Sequence, residues 1–346
     1  MANDRIAVAH TTTPFISAYP WSAGFGTKYT NPGTLPTGNG YSVSFGASDV
    51  AVGHATSPYV SAYPWAAGFG IKYSNPGTLP TSTGGGVAFS TSDIAVGHQT
   101  TPFVSTYPWL AGFGTKYTDP GTLPTGYGWG VAFGASDIAV TTWTSPYVSV
   151  YPWSAGFGTK YSNPGTLPTG NGWSVAFSTS DIAVGHATSP RVSVYPWSAG
   201  FGTKYSNPGT LPAWSGRSVS FGASDVAVGH AVSLYVSAYP WSAGFGTKYS
   251  DPGTLPTGTG YGVAFGTSDI AVAHTTSPRV SAYPWSAGFG TKYTDPGTLP
   301  TGNGWGIAFG VTAGGGGAAA TPPRVMRLFE GFRIKFISGR LIIRQK

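Results

Sequence analysis

The chain has 346 residues, among them 53 Gly, 29 Pro, 12 Trp, 20 Tyr and 19 Phe, and only 8% are charged. This composition excludes a coiled coil, a helical bundle and a charge-driven disordered chain, and it favours turns and strands. The net charge is +7 and there is no Cys, which removes disulfides, thiolate chemistry and cysteine-type zinc sites while leaving the compartment open.

Met1-Ala2-Asn3-Asp4-Arg5 runs straight into the first repeat, which leaves no room for a secretory signal. No run of about 18 apolar residues could span a bilayer, so the chain reads as soluble. Trp21, Trp65, Trp109, Trp153, Trp197, Trp241 and Trp285 then follow at a constant step of 44 residues, giving seven copies without insertion or deletion. Each copy reads as four short β segments. In the fourth they are the one opening at Asp137, then Tyr147–Tyr151, Gly158–Tyr161 and Trp173–Phe177. Asn163-Pro164-Gly165 carries turn chemistry, Pro presetting φ and Gly accepting positive φ. Trp173, Val175 and Phe177 alternate with Ser174 and Ala176, the period of a strand, and no repeat has helical spacing.

Four strands in a repeat of about 40 to 45 residues predict an all-β, seven-bladed propeller over residues 1–311. Val-Ala-Phe-Ser, Asp-Ile-Ala-Val-Gly-His and Val-Ser-Ala-Tyr resemble successive strands of WD40 repeats over residues 4–311, although Tyr-Pro-Trp stands where the Trp-Asp dipeptide belongs. The resemblance implies an interaction scaffold and carries over no catalytic or ligand residue. The chain enters on a second-strand segment, Arg5–His10, and ends the array on a first-strand segment, Trp305–Phe309. The last strand is therefore expected to complete the first blade and leave no free edge. An open solenoid is the competing geometry, but its terminal repeats should look like caps.

His10, His54, His98, His186, His230 and His274 close the second segment, with Thr142 in the fourth copy. Equivalent residues on sheets about 10 Å apart are too distant to share a zinc ion with ligands at about 2 Å, so strand-end hydrogen bonding is expected instead of metal binding. Asp49, Asp93, Asp137, Asp181, Asp225 and Asp269 recur beside Ser, and a Ser-His-Asp set exists in nearly every copy. Such repetition argues for turn capping over a triad, which needs one preorganised pocket. No cofactor or metal is expected, and the chain reads as non-enzymatic. The series Lys28, Lys72, Lys116, Lys160, Lys204, Lys248 and Lys292 reads as solvated strand lysines whose stems cover aromatics.

Two positions vary between copies. One, after Ser/Thr-Pro, holds Phe15, Tyr59, Phe103, Tyr147, Arg191, Tyr235 and Arg279; the other holds Tyr41, Gly85, Trp129, Trp173, Arg217, Tyr261 and Trp305. Both are expected near a rim, where Tyr59, Tyr147, Arg191, Arg279, Trp129, Trp173 and Arg217 form a possible binding surface. Drift among exposed residues explains the same pattern.

After Val311 a Gly/Ala/Pro linker (312–323) leads to a basic tail (324–346). Seven basic residues there oppose Glu330 alone, which places +6 of the net +7 in the tail. Phe332–Ile337 and Arg340–Arg344 flanking Ser338-Gly339 predict a β-hairpin. Phe332, Ile334, Phe336, Leu341 and Ile343 supply an apolar face, and Arg333, Lys335, Arg340 and Arg344 a basic one. An isolated hairpin is marginal in water, so it is expected to dock on a partner, with nucleic acid a less fitting one.

The consensus wording Ser-Pro-Tyr-Val-Ser-Ala-Tyr-Pro-Trp-Ser, followed after one Ala by Gly-Phe-Gly-Thr-Lys-Tyr, resembles repeats of uncharacterised tailed-bacteriophage proteins. That resemblance implies a virion structural protein, a capsid decoration or tail accessory made in a host cytoplasm and displayed on the particle exterior, with other virion proteins as partners. The alternative is a multivalent, lectin-like propeller for host-surface glycans, since near-identical blades suit avidity.

Overall fold

In the computed structural model, residues 3–311 are described in full, together with the backbone of 332–337 and 340–345. Residues 3–311 form seven three-stranded antiparallel sheets. In the second blade the inner strand is Gly40–Phe45, the middle strand Asp49–His54 and the outer strand Val60–Pro64; the other blades repeat this at the 44-residue step. The seven inner strands contact one another in cyclic order, which makes the array a seven-bladed β-propeller.

Closure follows the expected route. Gly304–Gly310 pairs antiparallel with Arg5–His10, from Arg5↔Gly310 to His10↔Gly304, and so supplies the inner strand of the first blade.

The blade differs from expectation in having three strands. The fourth predicted segment, such as Gly26-Thr27-Lys28-Tyr29, touches the outer strand through only two backbone bonds, Gly26 N to Pro20 O (2.9 Å) and Tyr29 N to Ala18 O (2.9 Å). Three residues on one side against two on the other break the ladder, and Pro20 has no N–H to continue it.

Alternation along the middle strands sends large side chains to one face and small ones to the other. Each interface between blades is built from both: Ala7, Ala9, Ile16 and Ala18 of the first blade pack on Val43, Val50, Val52, Tyr63 and Trp65 of the second. Small-on-large layering lets the sheets approach closely without voids.

The ends of this layer are tied by polar bonds. Trp109 Nε1 donates to Asp49 Oδ2 (3.0 Å) and Tyr73 OH donates to Asp49 Oδ1 (2.8 Å), while the Tyr73 and Trp109 rings meet edge to face at 5.2 Å. This Asp-Tyr-Trp clamp recurs at six junctions; at that between the first and second blades Arg5 replaces the Asp and its guanidinium lies 5.0 Å over Phe45 and 5.7 Å over Trp65. Arg5 also donates to Val311 O (2.5 Å), where the closing strand ends.

In the second unit, Phe332–Ile337 pairs antiparallel with Arg340–Gln345, with Ile334↔Ile343, Phe336↔Leu341, Lys335↔Ile342 and Arg333↔Arg344 opposite one another. This is the predicted hairpin register. The linker 312–323, residues 324–331 and the hairpin side chains lie outside the described residues.

Candidate functional site

The axial channel is built from one irregularity repeated seven times. In the second blade Gly40 pairs with His54 and Ser42 with Gly53, so Tyr41 is the extra residue of a β-bulge. The same shift leaves Gly85, Trp173, Arg217, Tyr261 and Trp305 unpaired in their inner strands, and in the fourth blade Trp129 and Gly130 together oppose Thr141. A bulge re-aims a side chain out of the pleat. Here it turns one residue per blade toward the axis, and that residue is the second variable position of the sequence.

Why the bulge forms is legible in the glycine before it. A Cβ at Gly128 would lie 2.0 Å from Phe103 O, and at Gly172 2.3 Å from Tyr147 O, so only Gly admits the carbonyl of the loop between the middle and outer strands. That carbonyl is already engaged, since His54 N donates to Tyr59 O (2.9 Å).

The bulge residues line one cavity of about 140 Å³ at the axis. Tyr261 and Trp305 stack at 3.9 Å and 12°, Tyr41 meets Trp305 at 5.1 Å and Trp129 at 5.8 Å, and Trp129 reaches Trp173 at 5.6 Å. Gly85 supplies no side chain, and Trp129 occupies that space: a Cβ on Gly85 would lie 3.3 Å from the indole. The Arg217 guanidinium lies 4.0 Å over Trp173 and 5.5 Å from the Tyr261 ring, and burial lowers its pKa. Among the described residues the wall carries no ionisable group besides Arg217 and the two tyrosines.

These residues are half-buried at the mouth of the channel, not on an outer rim. The structure brings Trp129, Trp173 and Arg217 together. It keeps Tyr59, Tyr147, Arg191 and Arg279 apart, one per blade, in the loops after the middle strands, with φ of 69°, 69°, 76° and 74°. Arg279 donates to Asn303 Oδ1 (2.8 Å) and Thr275 O (3.2 Å), and Arg191 lies 5.5 Å over Trp214. Two further residues that pack behind the cavity lining were missed in the sequence. Trp143 contacts Trp129 (6.0 Å) and Trp173 (5.2 Å), and Tyr127 contacts Trp143 (5.3 Å). The available signal was that Trp143 stands where other copies carry Thr, Ala or Gln, and Tyr127 where they carry Asn, Thr or Ser.

The histidines serve another purpose. His98 Nε2 lies 3.0 Å from Ser105 Oγ and its Nδ1 lies 2.9 Å from Thr100 O. A carbonyl can only accept, so Nδ1 carries the proton and Nε2 accepts from the serine. Burial holds all six imidazoles down at about 4. His and Ser are almost wholly buried in each pair, where no substrate meets them. Asp and His stand at opposite ends of the same six-residue strand, roughly 17 Å apart at strand rise, which separates the members of the apparent triad. Among the described residues no group of three or more His, Cys, Asp and Glu comes together.

The lysines are partly buried, and their ammonium groups bond at the exposed edge of the repeat. Lys28, Lys72, Lys160 and Lys204 donate to Asn31, Asn75, Asn163 and Asn207, and Lys116, Lys248 and Lys292 pair with Asp119, Asp251 and Asp295. Each ammonium thus fastens the residue before Pro-Gly. Among the described residues no helix is long and apolar enough to cross a membrane.

No protein-family model matches the chain, and no curated protein matches it in sequence. Solved propellers do match in shape. A candidate 6-phosphogluconolactonase from Bacteroides uniformis is 11% identical with a TM-score of 0.67, covering 90% of this chain and 100% of that one. The periplasmic gluconolactonase of Pseudomonas aeruginosa is 14% identical with a TM-score of 0.63 (89% and 99% covered), and a functionally unknown protein from Desulfotomaculum acetoxidans is 13% identical, also at 0.63 (89% and 99%). At such identities the likeness defines the fold.

Proposed function

We propose that the protein is a non-enzymatic binding propeller that recognises carbohydrate at the mouth of its axial channel. The observation that carries this reading is the bulge ring: the position that varies most in chemistry is the one turned into a shared cavity, while the scaffold around it scarcely changes. Aromatic faces match the apolar faces of sugar rings, and a few polar groups among them fix orientation. The nearly invariant His-Ser and Asp-Tyr-Trp sets are consumed by structural bonds, which supports binding over turnover. A glycan array probed with the protein and with Trp129→Ala tests it: hits that vanish in the variant are expected, and no hit above background ends the reading.

Display on a virion is supported by the repeat wording and by the tail. Opposed Ile334↔Ile343 and Phe336↔Leu341 pairs place apolar residues on one face of the hairpin, suited to docking on another protein. Removing residues 312–346 should leave the ring folded and abolish incorporation into particles; unchanged incorporation refutes the docking role.

A further inference from the structure

We infer that the Trp173–Arg217–Tyr261 sector of the channel mouth is a carboxylate subsite, so that the ligand is an acidic sugar; this rests on the carbohydrate reading above for the sugar but not for the anion.

The Arg217 guanidinium is held between two rings and makes no hydrogen bond or ion pair among the described residues. Its Nε is buried without a partner, and so are Trp173 Nε1 beside it and Trp143 Nε1 on the far side of Trp173. The three side chains form a row joined through Trp173, the Arg217 guanidinium at 4.0 Å from its ring centroid and the Trp143 ring at 5.2 Å from it. All three groups are donors only, so what the site lacks is an acceptor. Among the described residues no carboxylate lines the cavity to supply one. The aspartates that open the middle strands stand at the far end of each blade, bound in the clamps. Leaving the buried Nε of a half-buried cation and two buried indole N–H groups unmatched is costly, and native proteins match such groups. A carboxylate would accept from the planar guanidinium fork in two parallel bonds and reach the indoles with its remaining lone pairs.

Two features make this a single site and not a sevenfold one. Arg217 is the only basic residue in the bulge series, and Trp143 occurs in the fourth copy alone. The donors lie under neighbouring rings, so an anion reaches them by parting the Trp129–Trp143–Trp173 contacts, which are ring contacts without hydrogen bonds.

Sodium acetate titrated into the full chain at constant ionic strength, followed by ¹⁵N–¹H NMR, should give saturable shifts at Arg217 Nε, Trp143 Nε1 and Trp173 Nε1. Arg217→Gln should abolish them with its thermal midpoint little changed, since the same bulge position holds Gly, Tyr and Trp in other blades. Shifts that never saturate, that persist in Arg217→Gln, or that sulfate produces equally well overturn the carboxylate subsite. D-glucuronate should bind at least tenfold more tightly than D-glucose, and equal affinity overturns the acidic-sugar assignment. An array with no glycan hit alongside saturable acetate shifts would sink the carbohydrate reading and leave the anion subsite standing.

Discussion

Asp93 Oδ2 accepts from Trp153 Nε1 at 3.0 Å, although Asp93 opens the middle strand of one blade and Trp153 follows the outer strand of the next. The other oxygen accepts from Tyr117 OH at 2.9 Å, and Ser90 and Ser92 complete the carboxylate's shell. One side chain therefore both caps its turn and fastens two sheets.

Asp93→Ala leaves Trp153 Nε1 and Tyr117 OH without their acceptor in a part-buried junction. A loss of about 3 kcal/mol is expected, since each stranded donor costs about 1–3 kcal/mol. Urea unfolding should show it, and a midpoint within error of the parent would mean that the clamp bears no strain in solution.

Two tryptophans should respond unequally to truncation. Trp153 touches Tyr117, Phe133 and Phe157 edge to face, and Trp153→Ala should cost about 3–5 kcal/mol. Trp129 stands on a bulge where the third blade has Gly85, and Trp129→Ala should cost about 1 kcal/mol while removing ligand binding. Equal thermal shifts would contradict the separation of scaffold from site.

Acid should unfold the ring steeply. The six buried imidazoles titrate near 4 in the folded chain, against about 6.5 when unfolded. Between those values the unfolded chain binds more protons, so the stability these groups contribute is complete above pH 6.5 and lost as pH falls toward 4. Each contributes up to about 1.4 kcal/mol per pH unit. Unfolding midpoints measured from pH 7.5 to 4.5 should drop below pH 6.5, and a flat profile would refute the assignment of neutral, buried histidines.

The fourth blade offers the reverse experiment. Thr142 stands in the histidine position and bonds Thr144 O (2.9 Å), which leaves Ser149 Oγ buried without a partner. Thr142→His should restore the bond and add about 1 kcal/mol at pH 7.5, a gain that disappears by pH 4.5. No gain at pH 7.5 would show that the Ser-His bond contributes nothing.

Gly172→Ala should be among the most damaging single changes. The new methyl would sit 2.3 Å from Tyr147 O, in a backbone contact that no rotamer relieves. A loss of about 3 kcal/mol is expected, and a fully stable variant would mean that the bulge can relax.

Blade number, closure and hairpin register were legible because they depend on counting and on period two: an undisturbed 44-residue step, a chain that enters on a middle strand, and a two-residue gap at Ser338-Gly339. The bulge was not. Alternation places Trp173 on the same face as Val175 and Phe177, but one extra residue frees Trp173 for the axis while Val175 and Phe177 stay in the layer between blades. The clamp was hidden for a different reason. Asp49 and Trp109 are 60 residues apart and their positions scarcely change between copies, so nothing in the repeat distinguishes a turn cap from a bond to the neighbouring sheet. The irregular outer segment was misread because Gly-Thr-Lys-Tyr is extended, yet Pro20 ends the ladder it would join.

Since the strand register skips the bulge residue, its side chain can change while the pairing stays the same, and near-identical repeats are good substrates for genetic exchange. In-register swaps between copies would deal new combinations of seven axial side chains onto an unchanged frame. Out-of-register swaps would add or delete a whole blade and alter the circumference. Selection for a constant ring therefore leaves recognition as the property that such exchange can diversify.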